Sequence, residues 1–211
     1  NEVEIAEADF PSTRGVHSLV KDAVKASIAK INQAEFEWPF NAAEFNQALA
    51  AGQTEYPWPT AFKKVDWNSF QLQKDDSLNA SYKSLSYLER DEWYANHRDA
   101  DYTAGSSGIP EKVFPSHGNG FGVTPSPNNA YSVKFRYYLN YTDLNLFSDV
   151  TRIPESFNTV VVDGAIYTMY MFKDNIEAAN AAYGAFQNGL KDLQTLYINN
   201  FEYIRDTRVA F

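Results

Sequence analysis

Three histidines, two groups of carboxylates and one glycine-rich stretch are the parts of this 211-residue chain whose types and spacing suggest chemistry. A metal site needs ligands that converge, as two histidines do four residues apart on a helix. His17, His97 and His117 stand far apart, and none sits in an H-E-x-x-H frame, so each reads as a surface or capping residue. Paired carboxylates can divide acid and base work in glycoside hydrolysis. Asp75-Asp76 and Glu89 with Asp91-Glu92 offer such pairs, but any acidic chain does. The stretch GNGFG at 118–122 invites a phosphate-loop interpretation. It lacks the Lys-Ser/Thr pair and opens no helix, so it reads as a turn. No serine lies in a G-x-S-x-G elbow. There is no cysteine, which removes disulfides, thiolate metal sites and thiol catalysis together. The residues predict no catalytic group, no metal and no cofactor.

Composition describes a chain that folds. Apolar residues make up 44% and charged residues only 21%, enough for a real core and against global disorder. The 14 Tyr and 15 Phe exceed what a core of this size requires. They suit either broad amphipathic contact surfaces or a Tyr-rich sheet. Net charge is −9, and no basic patch of the kind that grips phosphates is visible. An acidic surface can stand beside DNA without sticking to it. The opening NEVEIAEADF has neither a basic region nor an apolar run, so a signal peptide is not expected there, and the chain does not begin with Met. The longest apolar run, VVVDGAIYTMYMF, is short and broken by Asp163, so no membrane span is expected. The sequons NAS at 79–81 and NYT at 140–142 carry little weight in that setting.

The elements emerge from periodicity. Residues 1–15 read as an extended arm. A first helix lies within 16–38, with Val16, Leu19, Val20, Ala23, Val24, Ile28 and Ile31 at helical spacing. Pro39 stops it and biases Trp38 toward an extended backbone. The aromatic knot of Phe36, Trp38, Pro39, Phe40 and Asn41 therefore sits at the exit, and reads as the joint between a helical bundle and a β-rich insert. That insert takes residues 39–153. AFKKVDWNSFQL alternates imperfectly, as a strand with a bulge. Residues 80–97 read as a strand followed by a short helix capped near Ser86. Lys112–Phe114, Phe121–Thr124 and Tyr131–Leu139 are separated by turn-forming SHGNG and PSPNN, which predicts an antiparallel meander. Residues 154–198 are helical again. Pro154 is expected at the first helical position, and Asp174 as the cap of a last helix. Ile176, Ala179, Tyr183, Phe186, Leu190, Leu193 and Tyr197 form a heptad seam there, expected to pack on both earlier helices. Gly184 and Gly189 imply close packing along it. Residues 199–211 carry Phe201, Tyr203, Arg205, Arg208 and Phe211, a composition suited to docking on a partner. The fold class is α+β: a helical bundle from the N- and C-terminal helices with an inserted antiparallel β meander domain.

The serial order FEWPFN, then AAGQTEYPWPTAFKKVDWNSF, then GIPEKVF with GFGVTPSPNNAYSVKFRYY, then DVTRIPESFNTVVVDGAIYTMYMF, resembles the head-to-tail adaptors of short-tailed bacteriophages, the group that includes tail tubular protein A. The resemblance spans about residues 16–205. Adaptors of this sort often begin with a further amphipathic helix, which this chain does not show. The resemblance implies a structural, non-enzymatic virion protein of the phage neck, assembled in the host cytoplasm. It implies a ring of about twelve copies joining the portal protein to the tail nozzle protein, and in some phages tail fibres. Genomic DNA would pass through the lumen without specific binding. The residues of the 199–211 tail would then dock on the portal. Two other classes compete. A carbohydrate-binding domain would use Trp58, Trp67 and Trp93 as stacking platforms. Another tail component, a nozzle, fibre-attachment or tail-completion protein, is the nearer rival.

Overall fold

The computed structural model describes residues 7–73, 81–103, 106–141 and 144–198. The chain divides into two compact units. One takes residues up to Asn41 and from Tyr141 onward, and the other is Ala42–Asn140.

The first unit is helical. Helix α1 spans Val16–Ala34, α4 spans Asn158–Phe172 and α5 spans Ile176–Tyr197. Helix α4 is the shared partner, packing on α1 along one side and α5 along another. The seam of α5 was expected to pack on both. Its buried members are Ala179, Phe186, Leu190 and Leu193, and the last three join Ile28 and Ile31 of α1 and Val160 and Val161 of α4 in one cluster. Ile176 and Tyr183 are exposed instead, and the Tyr183 ring leans on Tyr167 of α4. Pro154 sits one position before a 3-10 turn, Glu155–Phe157, that leads into α4. Asp174 does not cap α5. It holds the left-handed backbone position that ends α4, φ 53°, where a short polar side chain is tolerated. Asn175 is the cap, its Oδ1 accepting from the Ala178 N–H at 3.2 Å.

The second unit is built from strands. These are β1 (Ala42–Leu49), β2 (Glu55–Pro57), β3 (Phe62–Val65), β4 (Gln71–Gln73), β5 (Tyr82–Ser84), β6 (Ser86–Tyr87), β7 (Lys112–Pro115), β8 (Gly120–Thr124) and β9 (Tyr131–Leu139). Two short helices, α2 (Arg90–Asn96) and α3 (Arg98–Asp101), lie between β6 and β7. Ser86 therefore belongs to a strand, and Glu89 stands at the N-cap of α2. One sheet runs β1-β9-β4-β5, with β3 also on β9; the other runs β2-β8-β7-β6. Among the described residues all strand pairs are antiparallel except β6 with β7.

The three runs expected as a meander are strands, but they divide between the sheets. β7 and β8 form a hairpin in one; β9 pairs with β1 and with β3 and β4 in the other. The stretch 62–73 is two strands, not one bulged strand. A 3-10 turn, Trp67–Ser69, interrupts them, capped by Asp66. The interruption stays bonded to β9. Asp66 N–H donates to the Arg136 carbonyl, and Arg136 N–H donates to Ser69 Oγ at 2.9 Å. The main core sets Leu72, Val133 and Phe135 of one sheet, with Phe70 just before β4, against Val113, Phe121 and Val123 of the other, and a smaller cluster joins Leu88, Trp93 and Phe114. Strand β9 shows why. Val133, Phe135 and Tyr137 are buried, while Lys134 and Arg136 pair outside with Glu44 and Asp66 at 2.6 and 2.9 Å. The insert expected at 39–153 is thus wider than the strand unit, because Phe40, Tyr141, Leu144 and Ile153 belong to the helical core.

Glycines mark the tightest packing. A Cβ on Gly164 of α4 would collide with Ser27 Oγ of α1 and the Phe186 ring of α5, and one on Gly189 would collide with Val160. Gly184 has open space, so close packing is not its reason. Gly164→Ala is expected to destabilise the protein by about 1–3 kcal/mol through overpacking. Gly184→Ala, inside an exposed helix turn, is expected to stabilise it by about 0.5–1 kcal/mol. Chemical denaturation of the two variants reads both signs.

Candidate functional site

The aromatic knot after α1 is held by hydrogen bonds and ring contacts from several sides. A helix leaves its last four carbonyls without partners. Here α1 ends at Ala34, and Glu35 turns extended at φ −144°, ψ 136°. The Glu35 carboxylate accepts from the N–H groups of Phe36 and Glu37 at 2.7 and 3.1 Å, which turns the chain back. Trp38 then enters the core at 0% exposure, and its indole N–H donates to the Ile31 carbonyl at 2.8 Å. One of the orphan carbonyls is satisfied seven residues downstream. Pro39 begins a 3-10 turn, Pro39–Asn41, closed by Asn41 N–H donating to the Trp38 carbonyl. Phe40 stacks on Trp38, ring centres 5.2 Å apart, and meets Tyr197 of α5 edge-on.

Asn41 completes the network. Its Nδ2 donates to Asn32 Oδ1 at 2.7 Å, and Asn32 Nδ2 donates to the Ile28 carbonyl at 2.8 Å. Both side chains are buried, so the polar chain replaces water that the core excludes. Phe36 is different, being 57% exposed. Of the five knot residues, the structure brings Trp38, Phe40 and Asn41 into the helical core and leaves Phe36 and Pro39 at the surface.

Beside this network lies a cleft of about 160 Å³. Ile28, Asn32, Phe40 and Asn41 line one side and the segment 149–153 another. Its asparagines are bonded to each other. Asp149 Oδ2 accepts from the N–H groups of Asn145 and Leu146, both at 2.8 Å. Those two bonds hold its carboxyl below the usual carboxylate range. The cleft sets no nucleophile beside a base.

The tryptophans of the strand unit pack among other rings, Trp93 fully buried and Trp58 and Trp67 half-buried. Trp58 stacks on Phe62 at 4.3 Å and also meets Phe121, Phe135 and Trp67. Trp67 lies between Phe70 and Tyr87. Trp93 is buried on Phe114, and its indole N–H donates to Asp101 Oδ2 at 2.8 Å. The other Asp101 oxygen accepts from Ser126 N–H, so this buried carboxylate fastens α3 to the loop after β8. Sugar stacking needs an open ring face, which the buried Trp93 lacks. The glycines of GNGFG serve packing as well as turning. A side chain on Gly120 would strike the Tyr56 carbonyl, and one on Gly122 the Phe114 ring. Among the described residues no group of three potential ligands could hold a metal ion. His97 closes α2, and His117 lies edge-on to Tyr94. Burial raises the Tyr56 hydroxyl above its ordinary pKa against the Ala50 backbone bond, and burial with the Glu55 charge does the same to Tyr102. Lys83 lowers the Glu111 carboxyl, and Glu44 raises Lys134, both as exposed ion pairs. None of these groups converges on another. Asp75, Asp76, Phe201, Tyr203, Arg205, Arg208 and Phe211 lie outside the described residues. No helix among the described residues is long and apolar enough to cross a membrane.

What the molecule does offer is surface, and comparison with known families gives that surface a class: the adaptor proteins of bacteriophage, structural components of the virion neck. The chain belongs to the SU10 adaptor protein family, whose model matches residues 3–208. No curated protein matches the chain at a significant level.

Trp38→Ala removes a buried ring and a carbonyl's donor together. It is expected to cost about 3–5 kcal/mol and lower the melting temperature by several degrees. Trp38→Phe keeps the ring and loses the N–H, for about 1–3 kcal/mol. An unchanged melting temperature in Trp38→Ala would contradict the knot's structural role; calorimetry decides.

Proposed function

We propose that this protein is a head-to-tail adaptor, one wedge of a ring of about twelve that sits beneath the portal, carries the tail nozzle and continues the DNA channel. The observation that carries this is the family match over nearly the whole chain. Three features support it. The helical unit is assembled from both ends of the chain, so the strand unit is an insert within one scaffold. The net charge of −9 lets DNA slide through a lumen without phosphate binding. The exposed tyrosines 82, 87, 94, 102 and 183 suit large permanent contacts.

Within this role the protein has no catalytic step. Phe36, Trp38, Pro39, Phe40 and Asn41 act as the joint from the helical unit to the strand unit, setting the direction in which the chain leaves α1. Phe201, Tyr203, Arg205, Arg208 and Phe211 dock on the portal, with tail fibres as a further partner of the assembled neck. Assembly takes place in the host cytoplasm.

The test is native mass by light scattering after size exclusion, alone and mixed with the portal ring of the same virus. The expected result is a portal complex heavier by about twelve copies of a 23.9 kDa chain, lost on truncation after Asn200. A chain that stays a lone monomer beside an unshifted portal would contradict the adaptor role.

A further inference from the structure

Strand β1 is the edge of its sheet. Among the described residues its one strand partner is β9, and the pairing runs unbroken from Ala42 opposite Tyr138 to Leu49 opposite Tyr131. In an antiparallel pair the N–H and C=O of one residue point the same way, and successive residues alternate. Arg136 of β9 fixes the phase. Its carbonyl accepts from Asp66 N–H and its N–H donates to Ser69 Oγ, both on the side away from β1. Val133, Phe135 and Tyr137 therefore turn toward β1, where Gln47, Phe45 and Ala43 stand opposite them. Ala42, Glu44, Asn46 and Ala48 aim their backbone groups outward, and all four are exposed. The Ala48 carbonyl also accepts from Gln47 Nε2 at 2.9 Å.

Edge strands are ordinarily disarmed by proline, by lysine, by a bulge or by being short. Strand β6 has two residues, β5 has three, and β2 has three and ends in Pro57. Strand β1 has eight, with no Pro, no Lys and no break in register. Its one charge, Glu44, is held by Lys134 of β9 at 2.6 Å. What fits a row of outward N–H and C=O groups is another extended strand.

Strand β1 matches its own copy. Two of them set antiparallel bring all four outward residues into pairs in one register, Ala42 with Ala48 and Glu44 with Asn46. On the outer face each central row then reads Lys134, Asn46, Glu44, Arg136, the first two from one copy and the last two from the other. Each carboxylate lies between an amide and a cation, and no like charges meet. A slip of two residues one way sets Glu44 against Glu44, and a slip the other way leaves Ala42 unpaired. On the inner face Phe45 comes opposite its copy. That ring is half-buried beside Phe135 and Tyr137 at the rim of the main core, and the pairing covers it. We propose that β1 joins two free copies of this chain, antiparallel about a two-fold axis at Phe45, into one continuous sheet. The contact is isologous and closes at two copies, so it is separate from any ring and does not rest on the adaptor role.

Sedimentation equilibrium of the full chain reads the contact. The mass is expected to rise with concentration from 23.9 kDa to twice that and no further. Asn46→Pro removes an outward N–H and no bond to β9, the placement at which an edge strand tolerates proline. It is expected to weaken the dimer about tenfold or more, with circular dichroism unchanged. The chain has no cysteine, so engineered cysteines report the register without background. Glu44→Cys and Asn46→Cys chains face each other only when mixed; either alone sets its cysteines on a diagonal too long for a disulfide. Oxidation of the mixture is expected to give about tenfold more covalent dimer than either variant alone. A chain that stays at 23.9 kDa at every concentration overturns the proposal. So does a dimer that a folded Asn46→Pro chain retains, or a mixture that links no better than the single variants. Should Asn46→Pro fail to fold, the cysteine pair decides. A chain that is monomeric alone and still loads the portal contradicts this contact and leaves the adaptor role standing.

Discussion

The bond from the Trp38 indole to the Ile31 carbonyl is the constraint on which the helical unit depends. A helix end inside a core must find donors for its carbonyls or leave them at a cost of about 1–3 kcal/mol each. This chain supplies one from a residue beyond the helix, so ending α1 and filling the core are a single event. The Asn41 to Asn32 to Ile28 chain then ties the next turn back to the same helix. Phe40, stacked on Trp38 and touching Tyr197, carries the order across to α5.

Packing of the three helices is equally sparing of space. Gly164 lets α4 approach both Ser27 and Phe186, and Gly189 lets it approach α5 along Val160. With α1 and α5 both seated on α4, one side of that apolar helix stays uncovered. In the strand unit the equivalent organiser is β9. It pairs along both edges and sends Val133, Phe135 and Tyr137 into the main core. Its outward Lys134 and Arg136 find carboxylates on the neighbouring segments.

Much of this fold is legible in the sequence, and the reasons are local ones. Helical spacing locates α1 and α5, Pro154 marks the entry to α4, and turn residues bound β7, β8 and β9 almost to the residue. The α+β class with helices at both ends comes from those signals. Partner choice is not legible. Nothing in Tyr131–Leu139 says that its partners are 42–49 and 62–73 rather than the adjacent hairpin, because pairing over that separation leaves no periodic mark. Asp174 and Asn175 are both good caps, and only the left-handed turn ending α4 decides between them. The knot is legible as an exit from a helix through Pro39. That its indole returns to cap the same helix is not, since capping patterns are sought within a turn of the end. Family membership comes from serial order across the chain, which no single residue carries.

The place of this protein in the virion decides its role. The most direct measurement is a cryo-electron microscopy reconstruction of the virion neck. A ring of this fold, a three-helix unit and a two-sheet unit in each subunit, between the portal and the tail nozzle is the result predicted. A neck whose density between portal and nozzle is fully assigned to other chains, with this protein elsewhere or absent, would contradict it.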